Sequence, residues 1–339
     1  MTEITKVVVL NILKKSLFRG AAVLILAWTP FAASANPESW REEWTITDFT
    51  KTSVDFSEIM SGGPPKDGIP PIDNPIFKPI AEINDLPDTE PVIGITIEGK
   101  SKAYPLRVLM WHEIVNDELG GVPIAVTFCP LCNAAIVFDR RVNDEVLDFG
   151  TTGKLRNSDL VMYDRQTESW WQQFTGTAIV GDMLGAELKV LTARLESFRK
   201  FKQRTSDGQV LVPNHERLRR YGANPYVGYD SAGAPFLYRG EYPENISPLD
   251  RVVTVDGTAY WLHLVKTRGR MEIEGGIVIT WEPGQNSALD TPIIAEGLDV
   301  GNVTVQRKDA NGNWQDIPYG VDFAFAFYAF HPDRPIIVK

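Results

Sequence analysis

The stretch Val122–Phe138 reads VPIAVTFCPLCNAAIVF, and the fold turns on what surrounds its two cysteines. Val122 to Phe128 on one side and Ala134 to Phe138 on the other carry the β-branched and aromatic content of strands. Cys129-Pro130-Leu131-Cys132 therefore lies on a turn between two strands. A thioredoxin-type C-x-x-C opens a helix instead, and that helix N-terminus lowers the thiol pKa. Strand, C-P-x-C, strand is closer to the knuckle of a structural metal site. Asn133 suits the left-handed backbone that such a turn needs.

Working outward, Val92–Ile97 reads as a strand ending at the turn Glu98-Gly99-Lys100. Leu106 to Leu119 has helical spacing in Leu109, Ile114, Val115 and Leu119, which puts His112 on a helix just ahead of the cysteine strand. Leu160 to Tyr163 is a further strand, closed by a turn at Asp164 to Thr167. The second half repeats part of this plan. Thr96-Ile97-Glu98-Gly99, then Ala103-Tyr104 and Leu106, is matched by Thr254-Val255-Asp256-Gly257, then Ala259-Tyr260 and Leu262. Gly120-Gly121 before Val126-Thr127-Phe128 is matched by Gly275-Gly276 before Ile279-Thr280-Trp281, but Glu282-Pro283-Gly284-Gln285 then stands where the first copy has its cysteines. The expectation is a β-rich α+β protein with few helices and two related β-lobes from an internal duplication. The first lobe spans 91–190 and bears the site; the second, degenerate lobe spans 251–339. Residues 191–250 connect them, and 192–220 within that stretch look helical and charged. Residues 36–90, broken by Gly62-Gly63-Pro64-Pro65 and Gly68-Ile69-Pro70-Pro71, read as an irregular arm.

Residues 1–35 have the order of a secretory signal peptide: Lys14, Lys15 and Arg19, the apolar run Ala21–Trp28, then Ala33-Ser34-Ala35 as a small-x-small site. The apolar run is short of the roughly 20 residues that span a bilayer. Cleavage after Ala35 predicts a periplasmic or secreted protein with no stable membrane span. The whole chain of 339 residues is 43% hydrophobic and 23% charged, which excludes disorder and coiled coil. Its net charge of −10 argues against nucleic acid as a partner, because phosphate contacts need clustered Lys and Arg. No G-x-G-x-x-G, P-loop, H-E-x-x-H or G-x-S-x-G is present.

Two cysteines and four histidines limit any metal site to a small one. A complete structural zinc site would want a second cysteine pair, so a metal here must recruit other side chains. His112 and Met162 are the candidates to join Cys129 and Cys132, and that set suits copper first and zinc second. Tyr163, Asp164 and Arg165 are candidates to orient a ligand or line a pocket, with Trp111 and Trp171 beside them. A redox role is open on this reading, and catalysis is left undecided. The alternative is a non-catalytic envelope binding or structural protein in which Cys129–Cys132 is a disulfide. A pocket lined by Trp111, Trp171 and Tyr226 would then take a small molecule or an envelope protein. Thiol–disulfide exchange is a third reading, and it requires an exposed Cys129 with a depressed pKa.

Four strings together, Ala103-Tyr104-Pro105-Leu106, Trp111-His112-Glu113-Ile114-Val115-Asn116-Asp117, Thr127-Phe128-Cys129-Pro130-Leu131-Cys132 and Met162-Tyr163-Asp164-Arg165-Gln166-Thr167, resemble the bacterial family catalogued as domain of unknown function 3179. The similarity runs over roughly residues 85–339 and is densest at 100–185. The position after Cys132 is often glycine in such sequences; Asn133 tolerates the same backbone. The resemblance implies a shared site around these strings and brings no activity with it.

Overall fold

The computed structural model describes residues 37–339; the expected signal segment and its cut after Ala35 lie outside them. The described chain is β-rich, with five short α-helices, and five small sheets form a propeller-like ring. The cysteine sheet runs Lys189–Leu191, Ala134–Asp139, Val122–Cys129, Ile114–Leu119 in spatial order. Beside it in sequence is a sheet of Ile59–Ser61, Phe149–Arg156, Asp159–Asp164, Trp170–Gln172 and Thr177–Val180.

Two further sheets are each built on a central hairpin. In the first, Pro91–Ile97 and Lys100–Pro105 join through Glu98 and Gly99, both with positive φ (49° and 72°). In the second, Arg251–Val255 and Thr258–Trp261 join through Asp256 and Gly257, again both positive (47° and 74°). Two successive positive φ angles define the tight turn whose twist matches that of a hairpin. Outer strands are added in the same way in both. Ala193–Ser197 lies antiparallel to the first hairpin strand and Gln209–Val212 parallel to the second, linked by the helix Phe198–Arg204. Gly320–Phe323 and Ile336–Ile337 repeat this around the second hairpin, linked by the helix Ala324–Phe330. The fifth sheet is Arg270–Ile273, Ile277–Glu282, Asn302–Lys308 and Trp314–Asp316.

Two sequence expectations of helix are corrected. Of Leu106–Leu119 only Leu106–Leu109 is helical; Glu113 takes a left-handed φ of 57°, and Ile114–Leu119 is a strand paired with Val122–Cys129. The apolar residues that gave a helical period there are buried by the sheet instead. Residues 192–220 hold one helix, Phe198–Arg204, because the flanking segments are needed as outer strands of the first hairpin sheet.

The arm has little regular structure, yet its aromatics are packed. Trp44 and Phe49 are buried with Tyr163 and Trp170. Trp44 meets the Tyr163 ring edge-on at 4.8 Å and the Trp170 ring at 5.2 Å. Such geometry satisfies the quadrupoles of both rings and adds to the area buried.

Candidate metal centre

The strand Val122–Cys129 delivers Cys129 at its last residue. Pro130 then opens a one-turn 3-10 helix, Pro130–Cys132, where its missing N–H costs nothing. Asn133 closes the turn at φ 52° and ψ 24°, as its type allows, and Ala134 pairs back with Cys129. The Asn133 side chain donates to the Val321 carbonyl at 2.6 Å, fixing the knuckle to the second hairpin sheet.

Both cysteines are free and buried, at 2% and 0% exposure. The expected alternative of a Cys129–Cys132 disulfide is thus corrected: the sulfurs are close but unbonded. Burial pushes both thiols up, Cys132 well above its ordinary value. That is the reverse of what thiol–disulfide exchange requires.

What joins the sulfurs is Asp159. Its carboxylate and the two sulfurs all lie within 4.8 Å of one another. Asn157 and Ser158 turn the chain with positive φ, so that Asp159 begins its strand facing the knuckle. One oxygen, Oδ2, accepts from Gln172 Nε2 at 2.6 Å and from the Phe174 amide at 2.9 Å. The other, Oδ1, is buried and has no hydrogen-bond partner among the described residues. Burial lifts the carboxyl to about 6, against the pull of those two donors and of the neighbouring Cys129 and Cys132 thiols.

Two more acids belong to the same electrostatic neighbourhood. Glu113 is pushed up to about 8 by burial and by the charge of Asp159. Asp322 is pushed up to about 7 by burial, offset in part by the Thr254 hydroxyl, with Asp159 again adding. None of the leading influences on these five groups is a positive charge. Five buried acids whose leading influences include one another and no positive charge form an arrangement that proton uptake or a bound metal can neutralise.

The other residues singled out in the sequence have their own contacts, and Met162 and Trp171 share one buried core with both cysteines. His112 belongs to no group of ligand atoms with the cysteines among the described residues. Its Nδ1 is 2.7 Å from the Pro70 carbonyl and its Nε2 is 2.8 Å from the Tyr221 hydroxyl. A carbonyl can only accept, so Nδ1 carries the proton; burial lowers the imidazole pKa, and the lone pair on Nε2 is taken by Tyr221. Met162 is fully buried in the main core, paired across its sheet with Thr151 and Trp171. Tyr163 donates to Asp67 at 2.6 Å, and Arg165 pairs with Asp73 at 2.7 Å, so both clasp the arm. Asp164 accepts from Trp171 Nε1 at 2.8 Å and from the Thr167 amide at 2.7 Å, which fixes the turn. The Trp111 indole nitrogen is buried without a hydrogen-bond partner among the described residues.

Sequence reasoning missed Asp159, Glu113 and Asp322. A signal was there for all three: each is an acid at the head of an apolar run, Leu160-Val161-Met162, Ile114-Val115 or Phe323-Ala324-Phe325. An acid so placed is carried into the core with the segment it precedes.

Fold and site define a β-rich, multi-sheet protein with a buried Cys/Asp cluster. The chain belongs to the family described as protein of unknown function (DUF3179), whose model matches residues 66–334. No curated protein and no solved structure matches it.

Proposed function

We propose that this is a metalloprotein in which Cys129, Cys132 and Asp159 hold one zinc ion. The observation that carries the reading is the buried Oδ1 of Asp159, without a hydrogen-bond partner among the described residues and grouped within 4.8 Å of two buried thiols. Two thiolates with a carboxylate oxygen are a ligand set that zinc accepts, whereas Cu(I) favours sulfur throughout. The argument for copper drew on His112 and Met162. With His112 engaged by Pro70 and Tyr221, that argument loses its main support. Glu113 lies outside this three-residue group but feels the charge of Asp159, so its proton responds to what neutralises the cluster.

The test is metal content with a thiol count on protein prepared without chelator or affinity-column metal. About one equivalent of zinc, with two thiols titrating after denaturation, is the expected result. Cobalt substitution should give thiolate-to-metal charge-transfer absorption, lost in Cys132→Ser and retained in His112→Ala. Absence of zinc together with no affinity for added Zn²⁺ would overturn the reading.

The same proposal carries export, with residues 1–35 removed and the mature protein in the periplasm; N-terminal sequencing of material from that compartment tests it. It also carries descent of the two lobes, 91–190 and 251–339, from one duplicated unit. Four strands match in order, direction and turn geometry between the two hairpin sheets, although in the first sheet two of them, Ala193–Ser197 and Gln209–Val212, lie beyond residue 190 and a fifth, Ile76–Pro79, is added. Failure of the two sheets to superpose strand for strand in an experimental structure would count against it.

A further inference from the structure

A cleft of about 240 Å³ lies between the cysteine sheet and the second hairpin sheet. None of the proposed metal ligands lines it, although Asp322, which does, feels the charge of Asp159. Ile136, Val137, Phe174, Leu191, Tyr319 and Phe327 give it apolar walls. The Tyr319 hydroxyl is spent on the Val303 carbonyl at 2.6 Å, so this residue offers its ring. At roughly 30 Å³ per water-sized unit, the space suits a compound of about eight or nine non-hydrogen atoms.

Its polar equipment is one-sided. Asp322, 3% exposed, lies on the same strand face as Gly320 and lines the cleft with it. Its Oδ2 accepts from the Thr254 hydroxyl at 2.8 Å; Oδ1 accepts no hydrogen bond among the described residues. Asp256 is the other lining carboxylate, and it is already paired with Arg307. No Lys or Arg lines the space. His331, at the wall, is tilted against Phe174 and Phe327 at 6.1 and 5.3 Å. Burial and the charge of Arg334 lower its pKa, so it adds a neutral acceptor and no competing cation near pH 7.

With the cleft empty burial holds this carboxyl near 7, so it ionises readily only beside a positive charge, and an ammonium group supplies both that charge and the hydrogen bonds. The aromatic lining favours a cation further. We propose that this cleft binds a small primary amine with an aromatic or compact apolar body, its ammonium on Asp322 Oδ1. A neutral isostere would recover the apolar contacts alone, and an anion would meet Asp322 with like charge.

Isothermal titration of the full chain with 2-phenylethylamine, 2-phenylethanol and 3-phenylpropanoate tests this. The amine is expected to bind at least tenfold more tightly than the alcohol, and the carboxylate not at all. Asp322→Asn should bring the amine to the level of the alcohol, and Leu191→Trp, which fills the space, should remove both. Equal binding of amine and alcohol, or amine binding unchanged in a folded Asp322→Asn protein, would overturn the proposal. So would the absence of binding by all three. The ligand series on the unsubstituted chain decides the matter even where a variant fails to fold.

Discussion

Asp159 is held by one oxygen and idle at the other, which separates it from the many buried acids that serve only as caps. Asp164, five residues on, is the contrast: both its oxygens are taken up by Thr167 and Trp171. Asp159→Asn keeps the shape and the acceptor for Gln172 and Phe174 but removes the charge a metal would need. It should reduce bound zinc from about one equivalent to a small fraction, by elemental analysis, while leaving the far-ultraviolet circular dichroism unchanged. Metal-free, the variant should be at least as stable as the parent, because a buried unpaired charge has been removed. A variant that keeps full zinc would remove Asp159 from the ligand set. The cysteines were legible in the sequence because C-x-x-C is a local pattern. Asp159 was not, since its partnership with the knuckle spans about thirty residues and exists only once the two strands are side by side. His112 misled for the opposite reason: nearness in sequence to the cysteine strand does not bring its ring to the sulfurs.

At the scale of elements, the knuckle rests on Asn133. Its left-handed φ of 52° disfavours any β-carbon that lacks a compensating polar group, and its amide bridges to Val321. Asn133→Ala should cost about 2 kcal/mol, from roughly 1–2 for the backbone and about 1 for the lost hydrogen bond, not fully additive. Asn133→Gly should cost less, since only the hydrogen bond goes; urea midpoints that place glycine below alanine would contradict this account. The arm invites a second measurement. Trp44 is 1% exposed, with Lys66 4.4 Å above its ring. Trp44→Ala should lower stability by about 3–5 kcal/mol and open the segment around residues 50–58 to protease. Undiminished protease resistance would mean the arm is held by the Asp67 and Asp73 clasps alone. Most strands could be read from alternation and turn residues, as at Glu98-Gly99. The false helix over Leu106–Leu119 arose because apolar residues buried on both faces of a sheet can imitate a helical period. The docking of the arm was unreadable, since an aromatic in an irregular segment carries no periodicity.

For the whole molecule, the cluster joins separate sheets: the cysteines from one, Asp159 from a second, and Asn133 tied to a third. A metal there links parts of the chain distant in sequence, so its effect should appear in global unfolding. The buried acids fix the sign of the pH dependence. Glu113 has an ordinary value of 4.5 and a folded value of about 8, so the folded chain holds this proton more tightly than the unfolded one. Stability of the metal-free protein is therefore greatest below about pH 4.5 as far as Glu113 is concerned. It declines as pH rises through the interval to 8 and levels off above. At 1.36 kcal/mol per pKa unit the loss is on the order of 5 kcal/mol for this group alone. Asp322, raised to about 7, adds a loss of the same sign over a lower interval. On the proposed reading zinc should reverse the trend, because a metal held there competes with protons for the thiols and the Asp159 carboxylate and binds better as pH rises. Excess zinc at a thousand times its dissociation constant would add about 4 kcal/mol. Denaturant unfolding of chelator-treated protein at pH 5 and pH 8 should thus give a lower midpoint at pH 8, and added zinc should raise the pH 8 midpoint more. Glu113→Gln should flatten the metal-free profile. A metal-free midpoint that climbs from pH 5 to pH 8 would mean that Glu113 and Asp322 are solvated or paired in solution, and that the acids around the knuckle are not waiting for a cation.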